Sequence, residues 1–559
     1  MPRGDAGKSV VQVIPLGGVG EVGKNSSLIG YQDDLLLVDA GVMFPDEDMH
    51  GVDLIIPDYS HLLENADRLR GIWLTHGHED HIGATPYLLR QLGRRVAIYC
   101  TLLTQGMLSA KLREHRVLEL ADFRTVDPGL WYPVGAFEVL PFRVSHSVPY
   151  SIGLAIRSPV GIVVYTSDFK LDETPVDSAP TDVATLQELG DQGVLALLSD
   201  CVRVEQPGRT PSEMVVAETM GRLFGAAAGR IIVTTFASNI TRIQEVIRIG
   251  HQYGRKVAAV GRRLEENLEV ARQLGYLQVP DGALTSLDEA SKLPPEQVAL
   301  LATGSQGEPT SVLSRISMGD HPRVRILPGD TVIMAATPVP GNEETVSQTI
   351  DNLYRRGATV IYKAIEPGVH VSGHASREEL RQVIRWTRPQ FCAPLHGEYR
   401  HLVLYRALAG EEGIPHERVI LPEVGEVIQF GPEGARKAGK VRSGSVLVDG
   451  LSIGGVTQAV LRERGRLAEE GVLIAAVAVD RETGELLGGP DVIARGFVHP
   501  DLDELLLQAR DRIERALRRR PRGEPEYGYL VSKIRQVLGR YVYEETRRRP
   551  LVLPVVTEV

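Results

Sequence analysis

The residues best suited to chemistry lie in one nine-residue segment, THGHEDHIG, at 75–83. Within six residues it supplies His76, His78, Asp80 and His81, and imidazole and carboxylate groups are the ligands that borderline divalent metals prefer. The segment follows the apolar run GIWL and precedes a helical pattern, which predicts a polar turn at the carboxyl end of a strand. Alternate residues of an extended chain point to one side, so the first two histidines face one way and the turn directs the following Asp and His elsewhere. We therefore expect this loop to provide ligands to two neighbouring metals.

Two metals need more ligands than this loop holds, and three further residues share its strand-end setting. His146 precedes a turn in VSHSVPY, Asp168 closes the run VVYTSDF, and His396 follows the run FCAPL. Each of them alone would more often be a structural residue. Together they suit the edge of an αββα sandwich, where a carboxylate at Asp168 could bridge two ions.

Length and charge restrict the class of protein. A chain of 559 residues is too long for one hydrophobic core, so we expect two to four domains. The net charge of −10 counts against a protein that coats nucleic acid, but not against a nuclease whose positive potential is confined to a cleft. No apolar stretch reaches the roughly 20 residues of a membrane helix. The N-terminus MPRGDAGKSV lacks the apolar core of a signal peptide, so the expected compartment is the cytoplasm.

The spacing of apolar residues predicts strands and helices that alternate along most of the chain. Between 211 and 360 the alternation becomes the regular rhythm of a doubly wound parallel sheet, and candidate ligands lie on both sides of it, so this stretch is predicted to be an insertion. The charged stretch that follows the second set of ligands is predicted to be a linker to a small α/β domain. The predicted division is a first domain at 1–210 that resumes at 361–450, an insertion at 211–360, a linker at 451–471 and a C-terminal domain at 472–559.

The candidate ligands, together with Asp39 in LLLVDAG, resemble the five motifs of the metallo-β-lactamase superfamily. Longer segments resemble the ribonuclease J family, whose members are β-CASP nucleases with a second domain inserted into the lactamase fold. The resemblance runs from about residue 10 to about residue 450 and continues more weakly beyond. The segments that carry it are LLSDCVRVEQPGRTPSE, TTFASNITRIQEVI, VGRRLEENLEVARQLGYL, ATGSQGEPTSVLSRI, GDTVIMAATPVPGNE, HVSGHAS and PLHGEYRH. The implied fold is α/β: a metallo-β-lactamase αββα sandwich, an inserted doubly wound β-CASP domain and a small C-terminal α/β domain.

The resemblance implies a centre of two divalent ions, either zinc or manganese. One ion would be held by His76, His78 and His146, and the other by Asp80, His81 and His396, with Asp168 bridging them. Such a pair would generate a nucleophile from water at neutral pH and stabilise charge on a phosphodiester in its transition state.

Other residues receive roles from the same resemblance. Asp39 would orient ligands without binding metal itself. Asp200 and His374 would be β-CASP signature residues, and His374 would donate to a phosphate oxygen or assist the leaving 3′-oxygen. The residues expected to act in catalysis are Asp80, Asp168 and His374. Two departures from the family stand out: Cys201-Val202-Arg203 replaces the usual Ser-Thr-Asn, and Asp39-Ala40-Gly41 replaces Asp-Cys-Gly.

Two turns are predicted to form the substrate pocket. Each follows an apolar run and precedes a helix, where backbone N–H groups bind phosphate, although an ordinary helix cap remains the alternative. By resemblance they would hold a terminal 5′-monophosphate and its neighbour, which makes the chain a 5′→3′ exonuclease that is also an endonuclease, in RNA maturation and decay. The two sets of residues are Ala237, Ser238 and Asn239, and His370, Val371, Ser372, Gly373 and His374.

The resemblance carries further expectations about ligands and partners. The acid-rich segment 44–58 alone indicates a solvated loop, but the family suggests a structural calcium ion near it, with Asp449 as one oxygen ligand. The partners would be single-stranded RNA and a second copy of the chain, in a homodimer or homotetramer formed through the C-terminal domain. Other RNA-decay proteins are candidate partners. Basic clusters at 518–522 and 547–549 are predicted to be solvated helix ends, with RNA or subunit contact as the alternative.

Three other functions stay open at this point. The first is a metallo-β-lactamase hydrolase of small thioesters, lactones or lactams, against which the inserted segment and the SGHAS turn speak. The second is a scaffold with a degenerate site, against which the complete ligand set speaks. The third is a relative that repairs DNA or trims tRNA; a tRNA-trimming enzyme would lack the β-CASP pattern, whereas a preference for DNA is not resolved by sequence.

Overall fold

The computed structural model describes residues 10–46, 48–176, 179–304, 311–337, 342–450, 452–481, 485–518 and 527–559. Two of the segments that resemble ribonuclease J therefore lie partly outside the described residues, at 305–310 and 338–341. The chain forms two compact units: Met1–Phe44 with Ile55–Val446, and Pro45–Leu54 with Leu447–Val559. Among the described helices, none is both long and apolar enough to cross a bilayer.

Two mixed sheets form the centre of the larger unit. The first has eight strands, in spatial order Gly434–Lys440, Glu426–Gly431, Val11–Gly17, Ser26–Tyr31, Asp34–Val38, Leu69–Trp73, Val96–Cys100 and Ala121–Thr125. The second has six strands, in spatial order Phe391–Leu395, Val194–Asp200, Gly161–Tyr165, Ile152–Ser158, Phe137–Arg143 and Tyr132–Val134.

One apolar core joins these two sheets. Val13, Leu36 and Trp73 of the first sheet and Leu154 and Val163 of the second belong to the same buried cluster. Alternate residues of each strand point into this core, which is how a strand with one buried face contributes to a sandwich. Helices lie against both sheets and complete the αββα layers.

The helices of the larger unit have the following bounds. Those of the sandwich are Ser60–Glu64, Glu79–Ile82, Thr85–Leu92, Leu102–Glu114, Val183–Gln192, Arg377–Thr387 and Tyr399–Glu411. Those of the segment between the two halves of the sandwich are Glu213–Ala226, Ile240–Gln252, Arg262–Gln273, Leu287–Ala290, Val312–Met318 and Glu343–Arg355. Two-residue strands Val19–Gly20 and Gly397–Glu398 pair in parallel, and strand Leu54–Pro57 precedes the first helix.

A separate five-stranded sheet forms the core of the segment between the two halves. Its strands are all parallel and lie in the spatial order Lys256–Val260, Val298–Ala302, Ile231–Thr234, Thr331–Met334 and Thr359–Ile361. The strand nearest the N-terminus is central, and later strands are added on either side of it. This is the doubly wound arrangement that the sequence predicts for 211–360.

Parallel pairing brings the chemistry-bearing residues to one edge of the sandwich. Strands Gly161–Tyr165, Val194–Asp200 and Phe391–Leu395 run side by side in the same direction, so their carboxyl ends meet. The chain turns sharply at these ends, where Ser167 and His396 adopt φ angles of 56° and 50°. Such left-handed conformations are costly for residues other than glycine and persist where the surrounding structure fixes them.

The smaller unit is an α/β sandwich of two layers. Strand Val472–Val479 is central, antiparallel to Asp491–Arg495 and parallel to Leu551–Glu558. Every second residue of the central strand is buried against helices Leu502–Arg518 and Tyr527–Thr546. Strand Ser452–Ile453 pairs antiparallel with the end of strand Ser445–Asp449.

Helix Gln458–Glu470 fills most of the stretch 451–471 that the sequence predicts to be a linker. The Thr457 side chain caps this helix by accepting a hydrogen bond from Val460 N, which gives the helix a defined start. Of the two basic clusters, residues 519–522 lie outside the described residues. In the other, Arg547 and Arg549 lie over the ring of Tyr543, at 5.7 and 4.5 Å from its centroid.

Candidate metal centre

Three imidazoles converge at the carboxyl edge of the sandwich. His78 Nδ1 lies 3.0 Å from His76 Nε2 and 3.1 Å from His146 Nε2. Neighbouring ligands of one divalent ion have this separation when the bonds from metal to nitrogen are about 2.1 Å long. Burial lowers the pKa of all three rings, that of His78 to about 4, so they are neutral at neutral pH. Neutral imidazole is the form that binds metal.

A second group lies beside the first. His81 Nε2 is 3.2 Å from Asp168 Oδ2 and 3.6 Å from Asp80 Oδ2, and His396 Nδ1 is 3.7 Å from Asp168 Oδ1. Across the described part of the chain, three groups of possible metal ligands are close enough to share an ion, and all include Asp168. Two of these groups contain the residues of the two ligand sets that the sequence predicts, and the third joins Asp168 to Asp200 and His374.

Asp168 lies at the centre of the cluster and is only 3% exposed. Burial raises the pKa of its carboxyl, but His396, His81 and His374 outweigh burial and hold the pKa well below its usual range. Among the described residues, none donates a hydrogen bond to Asp168 Oδ1, although this atom is buried. A buried ionised oxygen without a donor is costly unless a cation completes it, so the donor set fits divalent metal.

In three of the ligand histidines, the remaining ring nitrogen is held by a hydrogen bond on the far side of the ring. His81 Nδ1 is 2.8 Å from Asp39 Oδ2, and His146 Nδ1 is 2.8 Å from the carbonyl oxygen of Gly373. Thr75 Oγ1 is 3.0 Å from His76 Nδ1. These partners fix the ring orientations, and metal sites rely on such support. Asp39 thus lies where the sequence places it, in contact with a ligand and outside the cluster.

Asn25 is a site residue that the sequence reasoning missed. Its side-chain oxygen accepts a hydrogen bond from His396 Nδ1 at 2.6 Å, and its Nδ2 lies 3.1 Å from His81 Nε2 and 3.3 Å from Asp80 Oδ2. Asn25 is only 3% exposed. Asn25 therefore contacts Asp80, His81 and His396, which are the three residues predicted to hold the second ion together with the bridging Asp168. The one feature of the sequence that could have indicated its role is its position at the end of the glycine-rich loop GGVGEVGKN.

We expect Asn25→Ala to lower the affinity for the ion at the second ligand set by about 10- to 100-fold, the usual cost of losing a residue that orients metal ligands. Metal content after dialysis at fixed free-metal concentrations measures this effect. Wild-type metal retention in the variant would limit Asn25 to a packing role.

Asp200 and His374 form a pair at the rim of the cluster. His374 Nδ1 is 2.8 Å from Asp200 Oδ2, and His374 Nε2 is 4.0 Å from Asp168 Oδ2. Burial alone would lower the pKa of His374, but Asp200 and Asp168 raise it to about 9. The imidazole can therefore carry a proton on Nε2 that faces the centre.

The predicted substrate turn His370–His374 lies directly against the ligands through the Gly373–His146 hydrogen bond. Val371 is buried, so only its backbone is available to a ligand. The following helix begins at Arg377, and its own Ser376 and Glu379 cap it. The turn therefore precedes a helix end that is already capped, which differs from the expected open helix N-terminus.

The other predicted turn meets the first through one arginine. The Asn239 side chain caps helix Ile240–Gln252 by accepting from Arg242 N at 3.0 Å, so the ordinary cap reading holds for its oxygen. The carbonyl of Ala237 accepts a hydrogen bond from Asn267 Nδ2. The guanidinium of Arg242 lies 3.1 Å from His370 Nδ1, which brings the two turns together. Ser238 is half-buried beside them.

The structure shows the contacts of Cys201, Val202 and Arg203, where the sequence departs from the usual family pattern. The Cys201 thiol donates to the carbonyl oxygen of Leu395, and Val202 N donates to Asp200 Oδ1. Arg203 Nε lies 3.4 Å from Ser376 Oγ, beside the substrate turn. In the described part of the chain, the terminal nitrogens of Arg203 make no ion pair with a carboxylate.

The predicted calcium site gains no support. Asp449 pairs with Arg464 at 2.5 Å, and Asp53 accepts a hydrogen bond from Gly450 N at 2.7 Å. No group of three close acidic or histidine ligands includes Asp449 among the described residues. A guanidinium already neutralises this carboxylate.

An αββα sandwich with histidine and aspartate at its strand ends defines a metallo-hydrolase of the β-lactamase superfamily. The family models that match the chain are the beta-lactamase superfamily domain at 36–191, the ribonuclease J beta-CASP domain at 228–353, the Zn-dependent metallo-hydrolase RNA specificity domain at 357–422 and the ribonuclease J C-terminal domain at 459–559. The order of the models matches the order of the structural parts.

Relatives agree with the family models over nearly the whole chain. Ribonuclease J2 of Bacillus subtilis is 39% identical, covering 98% of this chain and 99% of its own length. Ribonuclease J of Thermus thermophilus is 42% identical, covering 98% and 95%. The chain belongs to the ribonuclease J family, a family of metal-dependent ribonucleases. A solved protein of unknown function from Enterococcus faecalis shares the fold alone, with a TM-score of 0.52 and 18% identity over 75% of this chain and 100% of that one.

Proposed function

We propose that this chain hydrolyses RNA with two divalent ions, zinc or manganese, as a 5′→3′ exonuclease that prefers 5′-monophosphate ends and also cleaves internally. The observation that carries the proposal is the contact between the substrate turn and the metal ligands. Gly373 accepts a hydrogen bond from His146, and His374 faces Asp168. A phosphate bound at this turn would therefore lie beside the ligand cluster.

Metal ions held by the two ligand sets would lower the pKa of water and stabilise charge on the phosphoryl oxygens. The surrounding residues of the chain orient the ligand histidines. Asp39, Gly373 and Thr75 hold the outer nitrogens of His81, His146 and His76, so the inner nitrogens of these three rings point to the centre without rearrangement. Preorganised groups of this kind stabilise a transition state without paying for reorientation during the reaction.

His374 supplies the proton for the leaving oxygen. Asp200 accepts from His374 Nδ1, which leaves Nε2 as the donor that faces the reacting phosphate. The Asp200 carboxylate also stabilises the positively charged ring before the proton is transferred. This division of roles matches a general acid oriented by a carboxylate.

The proposed direction of cleavage depends on where the 5′ end of the RNA would be bound. In the turn 370–374, His370 Nδ1 lies 3.1 Å from the guanidinium of Arg242, which also pairs with Glu213, and Gly373 contacts the metal ligand His146. A terminal phosphate bound by the backbone of this turn would present the adjoining phosphodiester bond to the ligands, which favours release of single nucleotides from the 5′ end. Internal cleavage would require RNA to pass between the sandwich and the inserted sheet.

Digestion of one RNA sequence with different 5′ ends tests this proposal. We expect stepwise release of mononucleotides from the 5′-monophosphate form with Mn²⁺ or Zn²⁺, little release from the triphosphate or hydroxyl forms, and none with chelator. Equal rates on all three ends would contradict the terminal pocket while leaving ribonuclease activity in place.

Arg203 is expected to strengthen RNA binding in this chain beyond the usual family pattern. Arg203→Asn restores the usual family residue, and we expect it to raise the KM for RNA about tenfold, since a hydrogen bond to a charged group contributes about 1.5 kcal/mol. The kcat and the metal content should not change. Steady-state kinetics with 5′-monophosphorylated RNA measure the effect, and an unchanged KM would exclude Arg203 from the RNA path.

Self-association through the C-terminal domain remains part of the proposal. One face of its three-stranded sheet exposes Ile493, Leu553 and Val555. In the strand register, Ile474 pairs with both Ile493 and Leu553, so these apolar side chains form a row across the sheet. Exposed apolar patches of this kind are typical of protein interfaces. The molar mass in solution, measured by light scattering, tests whether the chain is a dimer or tetramer.

A further inference from the structure

The C-terminal unit has a basic groove that the proposed active site does not use. It lies between helices Leu502–Arg518 and Tyr527–Thr546 and has a volume of about 370 Å³. Four cationic side chains line it, and a single carboxylate, Glu544, opposes them. The cationic residues are Arg512, Arg515, Lys533 and Arg540.

Most of this positive charge has no carboxylate partner. Arg515 pairs with Asp511 of its own helix at 2.8 Å. Within the described ranges of the chain, Arg512, Lys533 and Arg540 make no ion pair. Like charges that face one groove repel each other, so the free groove favours an anionic ligand. The contrast is strong because the whole chain has a net charge of −10.

The groove is suited to phosphates rather than to bases. Its aromatic ring, Tyr541, is only 2% exposed and lies beneath Arg512, whose guanidinium carbon is 4.3 Å from the ring centroid. Tyr541 also donates its hydroxyl to Gln508, at 3.0 Å. No ring that lines the groove is therefore open for a base to stack on, and stacking is how single-stranded bases are usually held. Arginine and lysine side chains bind the backbone phosphates regardless of sequence.

We propose that this groove binds the phosphate backbone of single-stranded RNA, as a site separate from the metal centre. The proposal rests on the proposed function only for the identity of the polyanion as RNA. It assigns the C-terminal unit a role in retaining substrate without reading its sequence. The groove takes several phosphates of one strand, because its cations come from two helices and not from one point.

Fluorescence anisotropy of the full chain tests the groove without catalysis. The probe is an unstructured, labelled oligoribonucleotide with a 5′-hydroxyl end, in chelator, over a series of potassium chloride concentrations. We expect the double variant Lys533→Gln/Arg540→Gln to weaken binding on the order of tenfold at low salt and to reduce the slope of log K against log salt by about 1.4, since each phosphate contact on a single strand contributes about 0.7. The matched control is Arg535→Gln, an exposed arginine of the same helix that does not line the groove.

The outcomes separate the possible roles of the groove. A loss confined to the double variant supports the phosphate site, whether or not the chain shows the proposed end preference. Equal losses in the control and the double variant would indicate general electrostatics and overturn the proposal. Unchanged RNA binding would also overturn it. A change of molar mass without a change in RNA binding would instead assign the groove to contact between protein copies.

Discussion

Asp168→Asn is expected to lower RNA hydrolysis by about 10³-fold or more and to reduce the bound metal. The substitution preserves the shape of the side chain and removes the charge that faces imidazoles of both ligand sets. Asp168 Oδ2 lies 3.2 Å from His81 Nε2 and 3.7 Å from His146 Nε2. Stabilisation of charge by metal contributes several kcal/mol to such reactions, and about 1.4 kcal/mol corresponds to tenfold in rate. Multiple-turnover kinetics and metal analysis by mass spectrometry measure the two effects.

The control is Asp191, an exposed carboxylate in the same compact unit as Asp168. It lies at the end of helix Val183–Gln192 and contacts only Arg388 in the described structure. Asp191→Asn should retain wild-type metal content and activity. Full metal content in Asp168→Asn would contradict the assignment of Asp168 as the shared ligand.

His374→Ala is expected to lower kcat by about 10²- to 10⁴-fold, the usual contribution of a general acid, while both ions stay bound. The reason is geometric: His374 Nδ1 bonds Asp200, and its Nε2 lies 4.0 Å from the shared carboxylate rather than within the two ligand sets. Asp200→Asn should have a smaller effect in the same direction, because it leaves the imidazole in place and removes only its partner. Single-turnover kinetics with the metal content measured in the same sample distinguish the two roles.

Loss of metal from His374→Ala would show that His374 is a ligand and not the proton donor. His416, an exposed histidine in a surface turn of the same unit, is the matched control. His416→Ala should leave both kcat and metal content unchanged. A fall in activity in both variants would indicate a loss of folded protein, which the unfolding temperature detects.

Much of the architecture could be predicted from the sequence, because buried strands appear in it as short, continuous runs of apolar residues. The apolar runs of the sequence predict strands at Lys256–Val260 and Val298–Ala302, and the structure has strands with these bounds. Val298–Ala302 lies beside the central strand of a parallel sheet, where both faces are covered and the apolar run is continuous. Lys256–Val260 is the edge strand of the same sheet, but three of its five residues are buried. The insertion was also predictable, because the ligand-bearing segments on either side of it have to meet in one sandwich.

Helix ends were harder to predict from the chain alone. The apolar spacing predicts one helix over Ser60–Leu69, but the helix ends at Glu64 and a strand begins at Leu69. Leu69 pairs with Leu35 of the neighbouring strand, so packing into the sheet overrides the local helical pattern. The helix at Gln458–Glu470 was missed for the opposite reason: all of its residues are at least partly exposed, which leaves little apolar pattern to detect.

The parts of the candidate site that could be predicted are those whose residue types alone indicate metal binding. Closely spaced histidines and aspartates are rare without metal, and those in THGHEDHIG are brought together. Asn25 was not predictable in this way, because an asparagine in a glycine-rich loop is usually a turn residue. Its role depends on three contacts with residues up to 371 positions away in the chain, which only the folded structure reveals.

The most direct test of the central claim is anomalous scattering from crystals of the full chain grown with manganese or zinc. Two peaks are predicted. One should lie among His76, His78 and His146, the other among Asp80, His81 and His396, with the carboxylate of Asp168 between them. A single peak, or peaks away from these residues, would contradict a centre of two ions as the basis of RNA hydrolysis in this chain.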